Sequence, residues 1–169
     1  CYPGGFGTLD EALEVLTLIQ TGKRELVPVI FADAPGGNFW TTLDHFIREH
    51  LLRDGMISPD DLHLYSVTDN YEEAAHEIMN YYRVFHSMRY VGRDLILRLH
   101  QELSESLLAT INQDFADILN GGEFEQHAGR LEEEKDDETT NDMSRLIFNF
   151  NRRAHGRLRL LINLINESA

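Results

Sequence analysis

Cysteine is nearly absent from this sequence, which contains Cys1 and no other. A single cysteine excludes an internal disulfide and a zinc site built on several thiolates. Positive charge is also scarce, because 15 Lys and Arg stand against 29 Asp and Glu and give a formal net charge of −14. Binding to a nucleic-acid backbone needs the opposite sign, so we expect no nucleic-acid partner. A small phosphorylated ligand remains compatible, since one loop can attract an anion within an acidic protein.

Long hydrophobic runs are lacking as well. None approaches the roughly 20 apolar residues of a membrane-spanning helix. No pattern typical of a signal peptide precedes the first motif, and we therefore expect a cytoplasmic protein with no membrane partner. The eight histidines include no metal-binding spacing such as H-E-x-x-H, so we expect no metal site.

Three glycines lie close together near the start of the sequence, and an amphipathic helix pattern follows them at once. A glycine-rich turn that leads into a helix presents free backbone N–H groups and the positive end of the helix dipole. Such an end binds anions, most often phosphate. Gly4, Gly5, Gly7 and Thr8 are therefore the candidate phosphate-binding residues. The alternative for these residues is a tight turn that holds no ligand.

The segment from Pro3 to Glu11 reads PGGFGTLDE and matches P-G-G-x-G-T-x-x-E at every fixed position. In this it resembles the LONELY GUY (LOG) family of nucleoside 5′-monophosphate phosphoribohydrolases, long described as lysine decarboxylases. Residues similar to the family pattern continue in order to about residue 85, and they include Gln20, Gly22, Pro28, Phe46 and Gly55-Met56-Ile57. Because the sequence begins inside the motif, we expect it to be the C-terminal part of a longer member.

The resemblance implies an enzyme that hydrolyses the N-glycosidic bond of a nucleoside 5′-monophosphate to free base and ribose 5-phosphate. Gly4 to Thr8 would hold the phosphate, and Glu11 would act catalytically at the ribose. Glycoside hydrolysis passes through an oxocarbenium-like state, which a carboxylate beside the sugar stabilises. Glu11 also has a structural alternative, since Thr8 and Glu11 have the spacing of a capping box at a helix start. Both interpretations remain open on sequence alone.

In the LOG family an arginine from an upstream R-K-x-x-M segment works beside this glutamate, and the present sequence contains no such segment. We therefore expect residues 1–169 alone to be inactive and the activity to belong to the intact protein. The resemblance implies no metal or organic cofactor. It also implies a homodimer or a higher homo-oligomer.

A binding protein is the competing interpretation. Molybdenum-cofactor carrier proteins have a similar fold and a related glycine loop, and they bind without hydrolysing. A nucleotide-sensing role for residues 86–169 would also fit the sequence. Lysine decarboxylation is disfavoured, since no Ser-x-His-Lys pattern for a pyridoxal phosphate lysine is present.

Apolar patterns organise the first half of the chain as helix, strand, helix, strand, helix. After the helix behind the glycines, we expect strands over 26–32 and 62–67 and helices over 39–53 and 68–85. The sequence thus predicts an α/β fold, in which residues 1–85 form the C-terminal half of a Rossmann-like doubly wound parallel sheet.

Residues 86–169 are predicted to form a small α+β extension. The patterns indicate strand 94–99, helix 104–119, a weak strand 123–131, a charge-rich loop 132–142, strand 145–150 and helix 153–167. Because the acidic loop lies between two strands, we expect a long, mobile hairpin loop. Four arginines near the last helix favour a solvated or salt-bridged helix face over an anion site (Arg152, Arg153, Arg157, Arg159).

Overall fold

A computed structural model describes residues 1–132, 134 and 138–168. The chain divides into two compact units. The parallel unit comprises Cys1–Met79 and Arg153–Arg159, and the antiparallel unit comprises Asn80–Arg152 and Leu160–Ala169. The first contains a two-stranded parallel sheet and the second a four-stranded antiparallel sheet. The mixed α/β class predicted from the sequence is therefore confirmed.

The parallel unit is built on β1 (Ile30–Ala32) and β2 (Ser66–Thr68), which pair in parallel. Cys1 pairs with β1 from the other side. Its amine donates to the carbonyl of Ile30 at 2.8 Å, and its carbonyl accepts the N–H of Ala32 at 2.9 Å. This is the hydrogen-bond pattern of a parallel neighbour, so Cys1, β1 and β2 run in one direction and their carboxyl ends meet at the same edge.

Helices precede and follow these strands. α1 (Phe6–Gln20) comes before β1, and α2 (Phe39–Phe46) comes after it and continues as a π-helix (Ile47–Leu52). A 3-10 helix (Pro59–Leu64) leads into β2, and α3 (Tyr71–Tyr81) follows. The order of helices and strands predicted for this part of the chain is present.

The core of the parallel unit centres on Phe31 of β1 and Trp40 of α2. Their rings stack with centroids 4.4 Å apart and an interplanar angle of 13°, and Ala12 of α1 packs with them. All three are buried, and partly buried side chains surround them (Leu9, Leu16, Val29, Leu43, Tyr65, Val67). Burial of this apolar surface holds α1 and α2 against the sheet.

Both strands of the parallel unit are shorter than the apolar runs that predict them. The run over 26–32 contributes only β1, and the run over 62–67 begins in the 3-10 helix. For the second run, the cause is local chemistry at the start of the 3-10 helix. Pro59 occupies its first position, and the carboxylate of Asp61 accepts the N–H of Ser58 at 2.8 Å, which stabilises a helical turn. The doubly wound, Rossmann-like arrangement stays a prediction.

The antiparallel unit contains a sheet in the order β3-β4-β6-β5, with every neighbouring pair antiparallel. Its strands are β3 (Phe85–Val91), β4 (Asp94–Leu99), β5 (Glu125–His127) and β6 (Ser144–Phe148). Its helical segments are α4 (Glu105–Asp114), 3-10 helices at Ala116–Ile118 and Glu138–Thr140, and the later part of α5 (His155–Glu167). The pairing of β5 with β6 confirms that the acidic loop belongs to a hairpin.

β3 is missing from the sequence prediction, which extends the preceding helix through residue 85. α3 ends at Tyr81 instead, and Asn166 explains the end. The side-chain oxygen of Asn166 accepts the N–H groups of Val84 (2.8 Å) and Phe85 (3.0 Å), and its amide donates to the carbonyl of Tyr81 (2.7 Å). A buried asparagine far along the chain thus replaces the next helical hydrogen bonds.

One residue of the acidic loop is buried against the antiparallel sheet. Arg98 of β4 and Arg145 of β6 lie directly opposite each other, and both donate to the carboxylate of Glu134 at 2.9–3.0 Å. Burial raises the pKa of Glu134, but hydrogen bonds from Arg145 and Arg98 outweigh it, so its pKa lies below the usual value. The predicted loop over 132–142 is thus anchored at Glu134, while residues 133 and 135–137 lie outside the described residues.

Candidate functional site

The glycine loop, residues 4–8, lies at the carboxyl edge of the parallel sheet and runs into α1. Gly4 lies against Thr8, where an added Cβ would stand 2.8 Å from the Thr8 Cβ and collide with its hydroxyl. A Cβ added at Gly5 or Gly7 would meet no described atom within 4 Å. Packing therefore requires glycine at position 4, whereas the space beside Gly5 and Gly7 is open to a ligand.

α1 begins earlier than the capping-box interpretation requires. Its first residue is Phe6 and its N-cap is Gly5, so Thr8 lies inside the first turn. The carbonyl of Gly5 accepts the N–H of Leu9 at 3.2 Å and closes that turn. The predicted capping box of Thr8 and Glu11 is therefore wrong. No side chain among the described residues caps α1, which leaves the N–H groups of its first turn available.

Glu11 is exposed on α1, four residues after Gly7. Residues four apart lie on the same face of a helix, so Glu11 and Gly7 share one side of α1. No hydrogen bond or ion pair joins the Glu11 carboxylate to another described residue. The carboxylate is thus available to a ligand and has no structural partner in this part of the chain.

A cleft of about 390 Å³ opens beside the carboxyl ends of β1 and β2. Its lining residues come from the segments that follow the two strands (Pro35, Asp69, Asn70, Tyr71, Glu72). The carboxylate of Asp69 accepts the N–H of Gly36 at 2.9 Å, which ties the two segments together. The Tyr71 ring contacts Tyr2 edge-on, with centroids 6.1 Å apart. The cleft therefore adjoins the residues that lead into the glycine loop.

Asp33 lies directly after β1 and is 1% exposed. One carboxylate oxygen accepts the N–H of Trp40 at 3.0 Å and holds the start of α2. The other oxygen is buried without a hydrogen-bond partner among the described residues. Unsatisfied buried oxygens are rare, and this one lies at the sheet edge where open α/β sheets bind their ligands.

A second cavity, of about 260 Å³, lies between α1, the π-helix and the 3-10 helix before β2. Most of its lining is aliphatic (Leu13, Leu16, Ile47, Leu51, Ile57, Leu64). Gln20, at the end of α1, also lines it and donates its side-chain amide to Asp61 at 2.8 Å. Gln20 thereby joins the end of α1 to the 3-10 helix before β2.

Metal-ligand clusters and membrane-spanning helices are both absent from the described residues. No three His, Cys, Asp or Glu side chains in 1–132, 134 and 138–168 are arranged to hold a metal ion. No helix in the same part of the chain combines the length and the apolar character needed to cross a membrane.

The part of the chain that carries the glycine loop is similar to a known protein family. Residues 1–78 match a family described as "Possible lysine decarboxylase". This is a LOG-type family. The match includes the glycine loop, both parallel strands and Glu11, and it does not extend to residues 79–169. A comparison with curated proteins found no match.

The five site residues predicted from the sequence all lie in the glycine loop and the first two turns of α1 (Gly4, Gly5, Gly7, Thr8, Glu11). Asp69 and Tyr71 are not among the residues predicted from the sequence, and the parallel pairing of β1 with β2 brings both to the cleft at this sheet edge. The positions of Asp69 and Tyr71 in the sequence could have indicated this location. Each follows an apolar strand pattern closely, and ligands of open α/β sheets bind at the carboxyl ends of strands.

Proposed function

We propose that the whole protein containing this chain hydrolyses the N-glycosidic bond of a nucleoside 5′-monophosphate to free base and ribose 5-phosphate. The open space at Gly5 and Gly7, in a segment that matches a LOG-type family, carries the proposal. Neither glycine has a positive φ, and neither contacts a described residue through the space its Cβ would fill. Access for a ligand is the physical reason that accounts for both.

The start of α1 suits a phosphate group. Its first turn carries no acidic residue that would repel an anion, and its N–H groups have no side-chain cap among the described residues. The helix dipole adds a partial positive charge at the same place. The phosphate would therefore accept from the backbone of Gly5 to Thr8, while the Thr8 hydroxyl offers a further donor.

Glu11 would supply the carboxylate at the ribose. It is exposed, lies on the side of α1 that carries Gly7, and has no partner among the described residues. Its negative charge would stabilise the oxocarbenium-like state as the base departs. The arginine that works beside this glutamate in the family has no counterpart in residues 1–169. We therefore propose that residues 1–169 bind the nucleotide and that turnover needs the whole protein.

The resemblance further suggests a cytoplasmic homodimer or higher homo-oligomer without an organic cofactor. Large apolar side chains on the parallel unit support the association, since Phe6 is 93% exposed and Met56 is 68% exposed. Sedimentation equilibrium of the whole protein tests it, and a monomer at all concentrations would contradict it.

Binding without hydrolysis is the second candidate, as in a nucleotide or molybdenum-cofactor carrier. A carrier would need only the glycine loop and the start of α1, which this chain contains. An R-K-x-x-M segment upstream of residue 1 in the whole protein would favour the hydrolase, and its absence there would favour the carrier. Chromatographic detection of free base after incubation of the whole protein with AMP separates the two candidates. Nucleotide binding without base release would support the carrier.

Calorimetric titration of residues 1–169 with AMP and with adenosine tests the phosphate site. AMP should bind and adenosine should not, and Gly5→Val should lose AMP binding because its side chain fills the open space. Ala128→Val, an exposed position in the antiparallel unit, is the control and should bind as the parent does. The melting temperatures of both variants should match that of the parent. Equal AMP affinity in Gly5→Val and the parent would overturn the site.

A further inference from the structure

Tyr71 presents an aromatic surface next to the glycine loop. It is the first residue of α3 and is 50% exposed, and its ring contacts Tyr2. Tyr2 precedes Gly4 by two residues, so the aromatic pair connects the cleft wall with the loop. A half-exposed ring at a cleft offers a flat face on which a nucleobase can stack.

The polar groups of this cleft accept hydrogen bonds and repel anions. One oxygen of Asp69 accepts from Gly36, and its other oxygen has no partner among the described residues. Glu72 carries an exposed carboxylate that makes no hydrogen bond or ion pair with another described residue. The oxygen of Asn70 accepts the N–H groups of Glu72 (2.9 Å) and Glu73 (3.3 Å), which leaves its amide free to donate. No lysine or arginine belongs to the described lining.

This chemistry excludes a phosphate from the cleft and fits a neutral aromatic group that carries N–H donors. The volume of about 390 Å³ lies within the range of small-molecule sites, which is about 300–1,000 Å³. The glycine loop has the opposite character, because it offers N–H donors and no acidic side chain in the first turn of α1. The glycine loop thus suits the anionic phosphate of a nucleotide, and the neighbouring cleft suits its neutral base.

We infer that this cleft is the base subsite, where the nucleobase stacks on Tyr71 and its N–H groups donate to Asp69 and Glu72. The inference rests on the proposed function and deepens it. It assigns the 5′-phosphate to the glycine loop and the base to the carboxyl end of β2. A base with an amino group on its hydrogen-bonding edge is the ligand class, since Asp69 and Glu72 accept its N–H groups while Tyr71 supplies the stacking surface.

Calorimetry on residues 1–169 with two probes, AMP and ribose 5-phosphate, separates the subsites. In the parent, AMP should bind at least about fivefold more tightly, which is the lower end of what base stacking on an aromatic ring contributes. Tyr71→Ala should bring the ratio close to one and leave the affinity for ribose 5-phosphate unchanged. Tyr71→Phe keeps the ring and should keep the ratio. Ile78→Ala changes a side chain of similar exposure on the same helix (46%) and serves as the control.

The outcomes distinguish this inference from the proposed function. Tyr71→Ala with an undiminished preference for AMP, or with equal losses for both probes, overturns the base subsite and leaves the phosphate site intact. A parent that binds neither probe overturns both. A second measurement does not depend on the folding of the variant: AMP should shift the ring-proton resonances of Tyr71 in the parent, and ribose 5-phosphate should not. Identical shifts with both probes contradict the inference.

Discussion

The side chain of Thr8 lies over Gly4 so closely that a Cβ at position 4 would stand 2.8 Å from the Thr8 Cβ. A Cβ added at Gly7, three positions later, would meet no described atom within 4 Å. One glycine of the motif therefore serves the fold of the loop, and another serves access to it. A sequence motif shows glycine at both positions, but substitutions at the two positions should affect stability differently.

Alanine at these two positions separates the roles. Gly4→Ala must displace Thr8 and should lower the free energy of unfolding by about 1–3 kcal/mol, the usual range for overpacking. Gly7→Ala should be neutral or slightly stabilising, because alanine suits a helix better than glycine. Urea denaturation measures both. A Gly4→Ala variant as stable as the parent would contradict the contact with Thr8.

Glu134 should make the antiparallel unit sensitive to acid. Its pKa is lowered in the folded protein because hydrogen bonds from Arg145 and Arg98 outweigh the opposing effect of burial. Its ion pairs therefore stabilise the fold fully above the usual glutamate pKa of about 4.3. Their contribution is lost as the pH falls below that value and through the lowered folded pKa.

Urea denaturation of Glu134→Gln and the parent at pH 7 and at several pH values from about 4 down to about 2 measures the effect. At pH 7 the substitution should cost about 3–5 kcal/mol, since it removes the negative charge to which both buried arginines donate. The difference between variant and parent should shrink toward pH 4 and below. Glu132→Gln, at an exposed neighbouring position, is the control and should change little. A constant difference between Glu134→Gln and the parent at all pH values would exclude an ionised Glu134.

His155 should give the parallel unit a second pH dependence, at higher pH. It is 2% exposed, and burial lowers its pKa. Hydrogen bonds with the backbone of Gln20 and Arg153, together with the nearby charge of Asp61, only partly offset burial. Since the folded pKa is lowered, the neutral ring is fully accommodated above its usual pKa of about 6.5, and stability falls as the pH drops below that value.

Melting temperatures of the parent, His155→Phe and His76→Phe between pH 8 and pH 5.5 measure the effect. The parent and the exposed-site control His76→Phe should lose stability together as the pH falls. His155→Phe should have a lower melting temperature at pH 8, because it loses the hydrogen bond to Gln20. Its melting temperature should then change less as the pH falls. Parallel profiles for all three proteins would show that His155 does not titrate in this range.

Local patterns were sufficient to predict several helices and strands. The glycine motif predicted the turn that leads into α1, and helical periodicity predicted α1 and α5. β4 runs from Asp94 to Leu99, which are the bounds that the apolar pattern predicts. These features depend on neighbouring residues, so a sequence carries them directly.

Features that depend on distant residues could not be predicted. The end of α3 and the start of β3 require Asn166, which bonds Tyr81, Val84 and Phe85 from far along the chain. Tyr71 joins the site edge only because β2 pairs with β1. The start of α1 at Phe6 differs from the prediction for another reason. The capping pattern at Thr8 predicts a later start, whereas the helix begins after Gly5, which has no side chain to act as a cap.

The most direct test of the proposed hydrolase is the release of free base from AMP by the whole protein, compared with Glu11→Gln. The substitution preserves shape and removes the negative charge that faces the oxocarbenium-like state. Groups of this kind contribute about 10²–10³ in rate, so kcat should fall at least about a hundredfold. The calorimetric Kd for AMP and the Tm should match those of the parent, because Glu11 is exposed and unpartnered among the described residues. A Glu11→Gln protein with a near-parental kcat, or a parent that releases no base, would contradict the account.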